Sequence, residues 1–181
     1  EPGELTFSIP KEHPNYSVLE KLKSRIKVYR DDTLIWIGRV IEDELDLYEN
    51  REIVAEGALS FLLDSVMRPF SFDGTAAELF QWILTQHNTQ VNENQRFIIG
   101  NCDLTGTTNI AAKDYLSAWQ TLKTCLLDSF GGYLIVRYDE NEDPILDNLS
   151  DVPDTSTQRI EFGENLIDLV LSRSASEAYT A

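Results

Sequence analysis

The stretch Thr33–Glu44 constrains the fold more than any other part of this 181-residue chain. Alternation places Leu34, Trp36, Gly38 and Val40 on one face of an extended strand, with Ile35, Ile37 and Ile41 mainly on the other. A strand apolar on both faces must be covered on both sides, or belong to a sheet that curls into a small barrel. Gly38 in mid-strand fits a bend or bulge at such a corner. The surrounding residues are strand-like too. Leu5–Ile9 and Arg25–Tyr29 alternate, and Asp31-Asp32 reads as a tight turn into the two-faced strand. Leu45–Tyr48, a turn at Asn50-Arg51, and Glu52–Glu56 predict a further hairpin. Between the first two strands, Pro10 and Pro14 break the extended chain. There Ser17-Val-Leu-Glu20 has capping-box spacing, which predicts one helical turn carrying Val18, Leu19 and Leu22 inward. Residues 1–57 are therefore expected to form a small antiparallel β-barrel-like part.

The period changes at Gly57. Leu59, Leu62, Leu63 and Val66 recur at helical spacing, which predicts a helix over Ala58–Met67 ending before Pro69. Thr75-Ala-Ala-Glu78 is a capping box opening a second helix with an inward stripe of Leu79, Phe80, Ile83, Leu84 and His87. Polar Asn88–Arg96 should be an exposed connection, Arg96–Gly100 a short strand and Asp103–Thr108 a turn region. A third helix is expected over Asp114–Ser129, with Tyr115, Trp119, Leu122, Leu126 and Phe130 in one stripe and Gly131 as its stop. Gly132–Tyr138 and Pro144–Leu149 read as a hairpin around an acidic turn. A loop at Asp151–Thr157 and a last strand at Gln158–Phe162 follow. The fold class is thus α+β. A barrel-like part (1–57) is followed by a helix-rich α+β part with three helices (58–152) and a returning strand segment that stops short (153–181).

Charge narrows the function. The 31 acidic and 15 basic residues leave a net charge of −16, which repels phosphate, so tight binding to nucleic acid or an anionic membrane is not expected. No apolar run approaches the roughly 18 residues of a membrane span. Two cysteines, Cys102 and Cys125, and two histidines, His13 and His87, are too few and too scattered for a disulfide framework or a structural zinc site. The chain begins at Glu1 and already reads as a strand by Leu5, as an internal piece of a longer polypeptide would.

Candidate chemistry is sparse. Asp139-Glu-Asn-Glu-Asp143 matches the first ligand positions of a calcium loop, but Pro144 stands where glycine must turn the chain. Ser150 stands where a bidentate Glu must close the site. A solvated acidic hairpin tip is the better reading. His87, Cys102 and Asp103 form no nucleophile spacing; His87 ends an apolar stripe, and Cys125 lies between Leu122 and Leu126 as a buried thiol would. Trp36 and Trp119 sit within apolar faces, whereas Trp82 lies off its helix's stripe and is the candidate for exposure. Asn15 and Asn148 head glycosylation-type triplets that mean little without a secretory signal. Catalytic, cofactor and metal residues are accordingly expected to be none.

One ordered set of phrases is distinctive. Leu34-Ile-Trp-Ile-Gly-Arg-Val40 precedes Ala55-Glu-Gly57 and Leu59-Ser-Phe-Leu-Leu-Asp-Ser65. Then come His87-Asn88, Arg96-Phe-Ile-Ile-Gly100, Phe130-Gly-Gly-Tyr133 and Ile160-Glu-Phe-Gly-Glu-Asn-Leu-Ile-Asp168. Over nearly the whole chain this set resembles the N-terminal region of siphophage and prophage tail proteins, the tail-associated hub family often labelled prophage endopeptidase tail. The resemblance implies a baseplate-hub fold and a homotrimeric ring at the virion tail tip that continues the DNA channel. Assembly in the host cytoplasm, with the distal tail protein and the tape-measure protein as partners, is implied as well. It also implies that enzymatic or receptor-binding modules lie in a C-terminal extension beyond this sequence. Two other functions are weighed beside it. The family label raises a cell-wall hydrolase (endopeptidase), and Trp82 raises a host carbohydrate- or receptor-binding module.

Overall fold

A computed structural model describes residues 3–152, and the elements below belong to one unit, Glu1–Asp151. The expected strand at Gln158–Phe162 and the phrase Ile160–Asp168 lie outside the described residues. Strands β1 (Glu4–Ile9), β2 (Arg25–Arg30), β3 (Thr33–Leu45) and β4 (Arg51–Gly57) form an antiparallel sheet in the order β1-β4-β3-β2. The β2–β3 connection is the tight turn that Asp31-Asp32 predicts. Both residues adopt positive φ (49° and 62°), which matches the twist of a two-residue hairpin. Register slips between Val28 and Tyr29, and again between Val40 and Glu42, bend the sheet into a curled half-barrel. Among the described residues β1 and β2 remain its edges, so the sheet does not close.

Between those slips lies Gly38, at the closest approach in the sheet. A β-carbon there would stand 2.2 Å from the Glu56 carbonyl oxygen and 2.2 Å from the Trp36 ring. Trp36 can lie flat on its own strand only because position 38 has no side chain.

One face of the sheet buries Ile9, Val40 and Ile53, with Phe7, Tyr16, Leu19 and Ile26 packed on them. The cover is the loop after β1, and it contains no helical turn: Val18 and Leu22 are exposed, and Leu22 has φ 62°. Arg51 overrides the expected cap. Its Nη2 donates to the Leu19 carbonyl at 2.8 Å, its Nη1 donates to the Tyr16 carbonyl, and its Nε donates to Asp43 at 2.9 Å. These bonds pin the loop backbone along a non-helical path across the sheet. The β3–β4 turn is Asp46–Asn50, not Asn50-Arg51. The Asp46 carboxylate accepts from the Tyr48 and Asn50 amides, so Leu45 ends β3 rather than opening another hairpin. On the other face Ile37 is buried, and Arg39 crosses over the Phe61 ring, 5.7 Å from its centroid. Ile35, expected inside, is exposed.

After Gly57 the expected first helix is instead a 3₁₀ segment (Ala58–Leu63) followed by β5 (Val66–Met67). Gly57 offers no side-chain cap, and the Val66–Met67 backbone pairs with β9 (Leu116–Ser117), so Leu63 and Val66 turn outward. Strands β6 (Phe70–Thr75) and β8 (Thr107–Ala112) form a ribbon not evident in the sequence, with β7 (Ile98–Cys102) between them in the chain. Helix α1 (Ala76–Gln90) starts at the Thr75 capping box and buries the full expected stripe, Leu79, Phe80, Ile83, Leu84 and His87.

The third helical stretch starts four residues later than expected, at its own Ser117–Gln120 capping box. It runs through α2 (Ala118–Thr121), a π-helical segment (Leu122–Leu127) and α3 (Asp128–Phe130). Tyr115 thus precedes it and is exposed. Gly131, at φ 74°, stops it. The acidic-turn hairpin is β10 (Tyr133–Tyr138) with β11 (Pro144–Leu149), and β7 adds to β11 in parallel. These elements share a second, larger core built on Phe61, Phe80, Phe97, Leu122, Leu126 and their neighbours.

Candidate functional site

The residues with the most reactive side chains are spent on structure. His87 is wholly buried, with Nδ1 2.8 Å from the Ser65 hydroxyl and Nε2 3.0 Å from the Gln95 carbonyl. A carbonyl only accepts, so Nε2 carries the proton and Nδ1 accepts from Ser65. Burial holds the His87 pKa below its ordinary value. Neither Cys102 nor Asp103 shares these bonds. Burial pushes the Cys102 thiol pKa up, away from a thiolate, and Asp103 accepts from the Ser150 amide. Cys125 is buried in the π-helical segment.

The acidic tip is also self-contained. Asp139 accepts from the Asn141 amide at 2.9 Å and the Asp143 amide at 2.8 Å, which keeps its carboxyl below the usual pKa range. Glu142 bonds Lys27 and Tyr29 on β2. Among the described residues no cluster of three potential metal ligands occurs, and no helix is long and apolar enough to cross a membrane.

Trp82 is half-buried rather than exposed. Its ring packs on Phe70 at 4.6 Å and Phe72 at 6.1 Å between centroids. Three of the polar side chains near it bond to backbone. Thr85 and Thr89 donate to helix carbonyls, and the Gln90 amide bridges the Val66 N–H and the Gln86 carbonyl.

Two further features stand out at the surface. The β3–β4 tip holds Leu45, Leu47 and Tyr48 at 66%, 90% and 78% exposure on a turn made rigid by Asp46. The second is a pocket of about 280 Å³ lined by Arg25, Arg39, Phe61, Asn92, Asn94 and Gln95. Its two arginines stand directly opposite each other on β2 and β3, an arrangement that is unfavourable for like charges. Both features depend on register and turn geometry, so alternation in the sequence placed Arg25 and Arg39 on strands without bringing them together.

No family model matches the chain, and neither does any curated protein. Among solved structures it is similar to prophage tail protein gp18 of Listeria monocytogenes EGD-e. The two share 17% identity at a TM-score of 0.52, over 82% of this chain and 41% of that one. The chain thus spans about two fifths of that protein's length. The curled sheet and the α+β elements after it have a prophage tail-protein-like fold.

Proposed function

We propose that this chain is a structural component of a phage tail, the N-terminal region of a tail-associated hub protein at the virion tail tip. The observation that carries the reading is the half-barrel, a two-faced sheet whose edges among the described residues are β1 and β2, within a prophage tail-protein-like fold. An edge strand offers unpaired backbone groups, and a subunit of a closed ring can satisfy them in its neighbour. The exposed Leu45, Leu47 and Tyr48 support the same reading, since a rigid apolar knob suits a subunit contact.

In this proposal three copies form a ring by head-to-tail contacts. The ring continues the DNA channel and meets the distal tail and tape-measure proteins. The region itself is non-enzymatic, with any lysin in a C-terminal extension. The test is light scattering on the full polypeptide at micromolar concentration. A trimer that Leu47→Asp dissociates while leaving circular dichroism unchanged is the expected result. A monomer that still assembles with no tail partner overturns the proposal.

A further inference from the structure

The strongest unassigned feature is the arginine pocket. Arg39 gives Nη1 to Asp64, and that carboxylate also accepts from the Gln95 side chain. Lys27 is matched by Glu142, and Lys23 by Glu20. Glu142 also feels the charge of Arg25, and Glu56 faces Arg39 from β4, so acids as well as cations surround the pocket. In a chain with 31 acidic residues, Arg25 has no ion-pair partner among the described residues. Its Nε and Nη2, and the Nε of Arg39, are buried without a hydrogen-bond acceptor. A buried N–H without an acceptor is costly, and evolution usually removes it unless something accepts from it.

We propose that this pocket binds a carboxylate. The planar fork of a guanidinium matches a carboxylate through two parallel N–H···O bonds, and Arg25 carries such a fork with no internal acceptor, beside Arg39 on the adjacent strand. Asn92 and Asn94 add neutral amide donors, and Phe61 supplies an apolar wall. The carboxylate is either a free small molecule or an acidic side chain of a protein. The site is independent of the tail reading and stands or falls without it.

The experiment follows the arginine Nε–H resonances of the ¹⁵N-labelled chain during titration with acetate, a glutamate-rich hexapeptide, inorganic phosphate and, at matched ionic strength, chloride. Saturable shifts of Arg25 and Arg39 with a carboxylate, and at least tenfold weaker effects from chloride and phosphate, are expected. A hexapeptide that binds at least tenfold tighter than acetate identifies a protein side chain as the source; equal affinities identify a free carboxylate. Arg25→Gln removes no internal hydrogen bond, so it should fold, melt at or above the parent temperature in chloride, and lose the acetate-induced stabilisation. Should that variant fail to fold, the parent resonances alone decide. Shifts no larger with acetate than with chloride, or an acetate response that persists in Arg25→Gln, overturn the proposal.

Discussion

His87 shows how a single buried residue couples this fold to pH. Its folded-state pKa lies below the ordinary 6.5 because burial disfavours the imidazolium. Between the folded and unfolded values the unfolded chain binds more protons, so stability rises with pH there. Stability should be full above about pH 6.5, fall as pH drops below it, and level off once the depressed folded value is passed. Urea unfolding between pH 5.5 and 7.5 measures this slope, and His87→Gln should flatten it. The end of an apolar stripe in the sequence revealed His87 as a core residue. Nothing local revealed its partners, because Ser65 and Gln95 come from segments before and after α1. Arg25 and Arg39 were legible only as strand residues; their opposition required the register of β2 on β3.

At the scale of elements, two capping-box spacings had opposite outcomes. Thr75–Glu78 opens α1 with both reciprocal bonds formed, the Thr75 N–H to Glu78 at 2.8 Å and the Glu78 N–H to Thr75 at 3.2 Å. Thr75→Ala should cost about 1 kcal/mol, read from the urea midpoint with an unchanged slope. Ser17–Glu20 has the same spacing and forms no helix, because no long apolar stripe follows it and Arg51 pins the loop backbone along a non-helical path. A local signal therefore built an element only where a packed face continued it. The same logic explains the Ala58–Leu63 segment. Its apolar spacing was helical, yet pairing of Val66–Met67 with β9 ended it within one or two turns.

At the scale of the whole molecule the net charge of −16 dominates encounters with polyanions. Duplex DNA should not be retarded by this chain at low salt, where electrostatic association is strongest, and a gel-shift titration checks it. A retarded band would contradict a channel-lining role. The pocket at Arg25 does not change this expectation, since one local charge is small against the surrounding acidic field.

The sequence by itself determined what depends on neighbours in the chain. The strands of the first 57 residues, the Thr75 cap with its buried stripe, the Gly131 stop and the β10–β11 hairpin all follow from period, cap and turn chemistry. Only the tertiary structure decided what depends on distant partners. The half-barrel's bulges, the β6–β8 ribbon, the loop pinned by Arg51 and the pocket between two facing arginines all join residues whose relation is register and packing. Those choices are set by which long-range pairings bury the most surface, and short-range pattern carries no record of them.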